Sequence, residues 1–183
     1  TGASRGIGRA IAHELARAGM ALCLLGRDES ALQTVAGEVA PADVQLFPVD
    51  LADDDALART LDSLRQLERI DVLVHNAALY EMGEVQFVSV ETLDALYRVN
   101  LRAPFVMTQA LLPQLIASKG QVVFINSSLG VNAMPRRSQY SATKAALKGF
   151  ADSLRGEVNP QGVRVISVYP GKTATDMQAA IHA

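Results

Sequence analysis

The chain opens Thr1-Gly2-Ala3-Ser4-Arg5-Gly6-Ile7-Gly8 and runs directly into Arg9-Ala10-Ile11-Ala12-His13-Glu14-Leu15. Ile7, Ile11 and Leu15 recur at four-residue spacing, the pattern of one apolar helix face. Glycines accept backbone dihedrals that other residues avoid and let the main chain approach a phosphate closely. A helix that starts at such a turn offers unpaired N–H groups and the positive end of its dipole to an anion. Three glycines alone also fit an ordinary tight turn, so the rest of the chain has to decide.

Outward from that turn, apolar runs alternate with helical patterns to the end. Ala21–Leu25, Val44–Val49, Val72–His75, Val122–Asn126 and Val163–Tyr169 read as strands. They are short and apolar without alternation, as expected of parallel strands covered on both faces. Leu57, Leu61 and Leu64 mark one helix face, and Leu147, Phe150, Leu154 and Val158 another. Asp28 and Asp53 are placed to cap two helices, and Gly19 to close the first. The expectation is one α/β domain over residues 1–183, a Rossmann-type doubly wound parallel sheet with helices on both faces. The irregular stretches Ala78–Ser89 and Leu129–Ser138 follow strands, on the side where open α/β sheets bind ligands.

Bulk properties agree. Hydrophobic residues make up 49% and charged residues 20% of 183, a globular composition. A net charge of -2 with no basic stretch argues against nucleic acid as the main partner. No apolar run approaches the length of a membrane span. The one cysteine, Cys23, sits in an apolar strand and reads as a small buried hydrophobe, consistent with a reducing, cytoplasmic setting. No metal site is expected.

Two arginines sharpen the turn. Dinucleotide folds that bind NAD place an acid about 20 residues past the glycines, on the ribose hydroxyls. Gly26-Arg27 stands there instead, and Arg5 lies inside the turn. A guanidinium fork suits a phosphate, so the pair reads as a 2′-phosphate site and the cofactor as NADP(H). The alternative is two solvated surface arginines. Asp28, which could also be taken for the ribose acid, is read as a helix cap.

Ser127, Tyr140 and Lys144 supply a second constellation. A phenol titrates near pKa about 10 and is a poor base at neutral pH. A lysine ammonium nearby is expected to stabilise the phenolate and lower that value. Tyr140 and Lys144 are four residues apart in a helical pattern and share a face. Ser127 follows a strand, where its hydroxyl can bond a carbonyl or alcohol oxygen. Taken alone, Tyr-x3-Lys is a common surface pair; a dinucleotide-type fold gives it meaning.

With these residues in place, the chain resembles the classical short-chain dehydrogenase/reductase family over essentially its whole length. Gly2, Ser4, Arg5, Gly6, Ile7 and Gly8 match that family's cofactor turn. Asp50-Leu51 matches the pair beside the adenine, and Asn76-Ala77-Ala78 the element that steadies the central sheet along the cofactor. Asn100 matches an asparagine that holds a water in the proton relay. Ser127, Tyr140 and Lys144 match the catalytic serine, tyrosine and lysine. Ser127 is preferred to Ser128 because the family's serine lies thirteen residues before the tyrosine, with a glycine, here Gly130, three residues on. Pro170-Gly171 matches the loop beside the nicotinamide, with Thr173 and Thr175 where it meets the cofactor.

The resemblance implies hydride transfer between NADP(H) and a carbonyl or secondary alcohol, with Tyr140 as acid/base. A dinucleotide sensor or scaffold on the same fold would keep the turn without needing the serine, tyrosine and lysine together. An epimerase of the extended relatives would share Tyr-x3-Lys; Asn100 and Pro170-Gly171 favour the reductase. Departures are His75-Asn76-Ala77-Ala78 for the commoner Asn-Asn-Ala-Gly, with His75 read as the end of a buried strand, and Thr173 for valine or isoleucine. The family also has a strand before the Thr-Gly and another after the loop at Pro170, so the chain is expected to be a fragment incomplete at both ends. Tyr80, Met82, Leu129, Met134 and Met177 are candidate pocket residues for a small-molecule substrate. Arg136 and Arg137 read as a solvated pair, or else as contacts for an anionic substrate. The family's homodimers and homotetramers imply a symmetric contact, for which Leu111, Leu112, Phe150 and Leu154 are compatible.

Overall fold

The computed structural model describes residues 1–174. Among them the order is α1 (Gly6–Arg17), β1 (Leu22–Gly26), α2 (Glu29–Glu38), β2 (Val44–Pro48), α3 (Asp54–Leu64), β3 (Val72–His75), α4 (Val90–Tyr97), α5 (Ala103–Ser118), β4 (Gln121–Ile125), α6 (Ser138–Val158) and β5 (Arg164–Val168). Each expected strand is present, with ends shifted by one residue at most. Asp28 Oδ1 accepts from the Ala31 N–H, and Asp53 Oδ1 from Asp55 and Ala56, so both cap helices as expected. Gly19 closes α1 with φ +79°, a left-handed value that suits glycine.

All strand pairs are parallel, in two ladders. β1 pairs with β2, Leu22 opposite Val44. β4 lies between β3 and β5, with Val123 opposite Val74 on one side and Ile166 on the other. The sheet is therefore not one continuous ladder. Thr1 to Ala3 run between the two halves: the Ala3 N–H donates to Leu25 O at 3.2 Å, and the Thr1 nitrogen to Val74 O at 2.8 Å. The carbonyls of Leu25 in β1 and Val74 in β3 thus accept from the start of the glycine turn, and the two strands do not pair directly.

Each half has its own core. Leu32, Val35, Ala12, Leu22 and Leu24 pack α1 and α2 against β1. Leu57, Leu61, Met107, Leu111, Leu147, Leu154 and Phe124 pack α3, α5 and α6 against the other ladder. Burying each leucine, valine, methionine or phenylalanine of this set contributes roughly 1.5–3 kcal/mol. That packing corrects the expectation for a symmetric contact. Leu111 and Leu154 are core residues, directed inward by the same helical period that singled them out. The exposed apolar groups on that side are Tyr97 and Phe105, beside half-buried Phe150. Cys23 is half-buried, and burial pushes its thiol pKa up, which keeps it a thiol.

Candidate active site

The glycine turn is held from both sides. Asn76 donates through Nδ2 to the carbonyls of Thr1 and Gly2, at 3.0 and 3.1 Å. The N–H groups of Asn76 and Ala77 donate to Thr1 Oγ1, both at 3.0 Å. Gly2 and Gly6 take φ of +64° and +54°, values that disfavour any side chain. Gly8 is required for space instead: a Cβ there would sit 2.1 Å from Gly2 O and 2.4 Å from Asn76 Nδ2. The first turn of α1 has no side-chain cap, so its leading N–H groups are available to an anion. This is the geometry a pyrophosphate requires.

At the far end of the same cavity stands the second constellation. β4 ends at Ile125, and Ser127 follows at its carboxyl end, its Oγ accepting from the Leu129 N–H at 3.1 Å. Tyr140 and Lys144 project from the first turns of α6, both buried. Gly130 permits α6 to come this close, since a Cβ there would meet the Lys144 carbonyl at 2.9 Å. Lys144 is 2% exposed and donates through Nζ to Ile125 O at 3.0 Å. Burial pushes its pKa down to about 8.

Here the structure corrects the sequence argument about tyrosine. Burial raises the Tyr140 pKa; the facing Ser127 hydroxyl, which favours the phenolate, offsets this only in part, and Tyr80 adds to the rise. Lys144 Nζ lies 5.9 Å from the ring centroid of Tyr140 and is turned to a backbone carbonyl. Desolvation of the phenolate therefore outweighs the ammonium's pull.

Asn100 sits behind this corner on a widened, π-type turn, Arg98–Arg102, that joins α4 to α5. Its Oδ1 accepts from the Leu79 N–H at 2.8 Å. Its Nδ2 donates to Leu79 O at 3.0 Å and to Thr143 Oγ1 at 3.1 Å. Both amide hydrogens are engaged, and Oδ1 keeps one acceptor site. Asn100 thus ties the segment after β3 to the residue preceding Lys144.

One cavity of about 880 Å³ brings these pieces together. Gly2, Ser4, Arg5, Gly6, Ile7, Arg27, Asp50 and Leu51 line one end, Asn76 and Ala77 the middle, and Ser127, Tyr140 and Lys144 the other, with Pro170, Gly171 and Thr173 alongside. Gly8 and Asn100 lie behind the wall and shape it. Thr175 and Met177 lie outside the described residues. Arg5 and Arg27 are exposed and, among the described residues, pair with no carboxylate, while Asp28 is engaged as a cap. Tyr80, Leu129 and Met134 line the cavity and Met82 does not. Asn126 also lines it, with Nδ2 buried and unpartnered among the described residues. Sequence reading passed over Asn126; a polar side chain ending an apolar strand immediately before Ser127 was the available signal. His75 is buried, bonded to Thr108 Oγ1 at 2.9 Å and stacked on Phe124, and burial pushes its pKa down to about 3. It is a neutral core residue, as its strand position suggested.

Arg136 and Arg137 part company. Arg136 takes a left-handed φ of 64° and is exposed, whereas Arg137 is half-buried and donates through Nε to Tyr80 Oη at 2.8 Å. They are not a solvated pair.

Among the described residues no group of His, Cys, Asp and Glu is arranged to hold a metal ion. No described helix is long and apolar enough to cross a membrane.

The family model for short chain dehydrogenase matches residues 1–183. The chain belongs to the short-chain dehydrogenase family. An uncharacterized short-chain type dehydrogenase/reductase of Sinorhizobium fredii is 36% identical over 97% of this chain and 69% of its own length. A metagenomic short-chain oxidoreductase in complex with NADP superposes with TM-score 0.88 at 36% identity, covering 94% of this chain and 79% of that one. A short-chain dehydrogenase from Sphingobium yanoikuyae in complex with NADPH superposes with TM-score 0.92 at 31% identity, covering 98% and 72%. Across four curated relatives the chain spans 57% to 69% of their length.

Proposed function

We propose that this short-chain dehydrogenase is an NADP(H)-dependent oxidoreductase that interconverts a carbonyl and a secondary alcohol, with Tyr140 as acid/base. The observation that carries the reading is the single cavity with a phosphate-binding turn at one end and buried Tyr140 facing Ser127 at the other. The fit to a dinucleotide rests on the uncapped start of α1 and on the space that Gly8 leaves. Arg5 and Arg27, at the adenosine end and without a carboxylate partner among the described residues, support a 2′-phosphate. The NADP and NADPH found in the two neighbouring structures point the same way.

When bound, the nicotinamide supplies or accepts the hydride. Ser127 donates its hydroxyl hydrogen to the substrate oxygen and orients it. Tyr140, a phenol protonated at neutral pH and kept so by burial, delivers the proton to that oxygen in the reducing direction. The phenolate left behind is stabilised by the Lys144 ammonium, charged below pH about 8. Asn100 keeps one acceptor site on Oδ1 with which to hold a water for proton resupply. A homo-oligomer would use the face that exposes Tyr97 and Phe105 rather than the buried leucines.

Tyr140→Phe is the direct test. Its NADPH-dependent reductase turnover should fall by about 10²–10⁴-fold with NADPH binding retained; wild-type-like turnover would sink the assignment. A non-catalytic sensor is expected to bind NADPH and turn over none of a panel of ketones, aldehydes and acyl thioesters.

A further inference from the structure

The substrate end of the cavity contains an ionic side chain that the proposed chemistry does not use. Arg137 lines the cavity and is half-buried. Its Nε donates to Tyr80 Oη at 2.8 Å and its Nη1 to Pro135 O at 3.2 Å. Both acceptors are neutral, and among the described residues no carboxylate pairs with it. Among the described residues, the acids that line the cavity, Asp28 and Asp50, belong to its adenosine end, beside Arg27 and Leu51. A guanidinium has five N–H donors, so among the described residues these two bonds leave Nη2 and one Nη1 hydrogen without a partner, donors that can grip a carboxylate in bidentate fashion. A half-buried cation with only neutral partners forgoes hydration without ionic compensation, which an anionic ligand would restore.

Two further features hold the side chain in place. Arg136 adopts φ 64°, a strained value for a residue with a side chain, and its carbonyl accepts from the Gly83 N–H at 2.9 Å. This bend fixes the segment in which Arg137 turns inward. Tyr80, the partner of Arg137, stands edge-on to Tyr140 with ring centroids 4.8 Å apart. The guanidinium is thus anchored one aromatic ring away from the group that would protonate the substrate.

We infer that Arg137, held by Tyr80, is a specificity-determining residue that binds a carboxylate on the substrate, so that the preferred carbonyl compounds are short keto acids rather than neutral ketones. The inference rests on the oxidoreductase reading above.

The test compares kcat/KM for chain-matched short keto acids and their methyl esters in the wild type, Arg137→Gln, Arg137→Lys and Tyr80→Phe. The wild type should prefer acid to ester by on the order of tenfold to a hundredfold. That ratio should fall to about one in Arg137→Gln and to intermediate values in Arg137→Lys, which keeps the charge without the fork. Tyr80→Phe should lower it while leaving the charge in place. Calorimetric titration of the protein with the same acids, with and without NADP⁺, reads the subsite independently of turnover and should show at least tenfold weaker binding to Arg137→Gln. A wild-type ratio near one, or a ratio and an affinity unmoved by Arg137→Gln, overturns the inference. If acids and esters are both inert yet the acids bind through Arg137, the subsite stands and the oxidoreductase reading falls. Equal turnover of both does the reverse.

Discussion

The two ends of the cavity are held by different physics. The glycine turn is fixed by hydrogen bonds and hard contact: Asn76 clasps Thr1 and Gly2, and Gly8 has no room for a methyl group. The Tyr140 corner is held by burial instead. Lys144 is desolvated, its pKa pushed down to about 8, and Tyr140 is pushed up. Steric fit makes a rigid platform for phosphate, while desolvation pushes both side chains of the corner toward their uncharged forms at some cost in stability.

Gly8→Ala should test the platform most severely. A Cβ placed 2.1 Å from Gly2 O must displace backbone, at about 3 kcal/mol. Thermal unfolding should show Tm lowered by roughly 6–12 °C, with NADPH binding weakened equally at pH 6 and pH 9. An unchanged Tm would show the turn to be softer than its contacts imply.

Lys144→Met probes the other end with the opposite sign. The depressed pKa corresponds to a penalty on the order of 3 kcal/mol for the buried charge. Below pH about 8 Lys144 is charged in both folded and unfolded chains, and the penalty is fully present. Between about 8 and 10.5 only the unfolded chain stays protonated, so wild-type stability rises with pH. The variant should therefore be more stable than wild type at pH 7 and lose that advantage above 10.5, while reductase activity disappears. In the wild type, kcat/KM for reduction should fall through an apparent pKa of about 8, as the ammonium that stabilises the phenolate is lost. Denaturant melts and a pH–rate profile check both.

Asn100→Ala is expected to cost about 2 kcal/mol through the unpaired Leu79 backbone groups it leaves behind. Because its partners lie beside the corner and not the turn, kcat should drop while KM for NADPH holds. Arg27→Ala should be the mildest: stability unchanged, with the ratio of kcat/KM for NADPH over NADH reduced about tenfold. A clear wild-type preference for NADH would show that the arginines do not read a phosphate.

Most of the platform was legible because its causes are local. Glycine spacing, the four-residue recurrence of Ile7, Ile11 and Leu15, and the caps Asp28 and Asp53 act over a few residues, and each appears where the sequence put it. The corner was legible only as a set of residues. Ser127, Tyr140 and Lys144 meet in one cavity as their spacing suggested, yet the sign of the tyrosine shift was misjudged. That sign depends on how much water α6 loses when it packs on β4, and spacing carries no measure of it. Leu111 and Leu154 failed as surface candidates for the same reason: helical period identifies a face without saying what covers it.

By itself, then, the sequence determined the parallel α/β order and the turn, and it named Ser127, Tyr140 and Lys144, which share one cavity, because short-range sterics, hydrophobic period and motif spacing are written in neighbouring residues. Tertiary structure alone decided that Thr1 to Ala3 bridge two ladders, that Asn100 ties Leu79 to Thr143, and that Arg136 and Arg137 face different surroundings. Those facts depend on contacts between segments far apart in the chain, where burial sets both the charge state and the direction of a side chain.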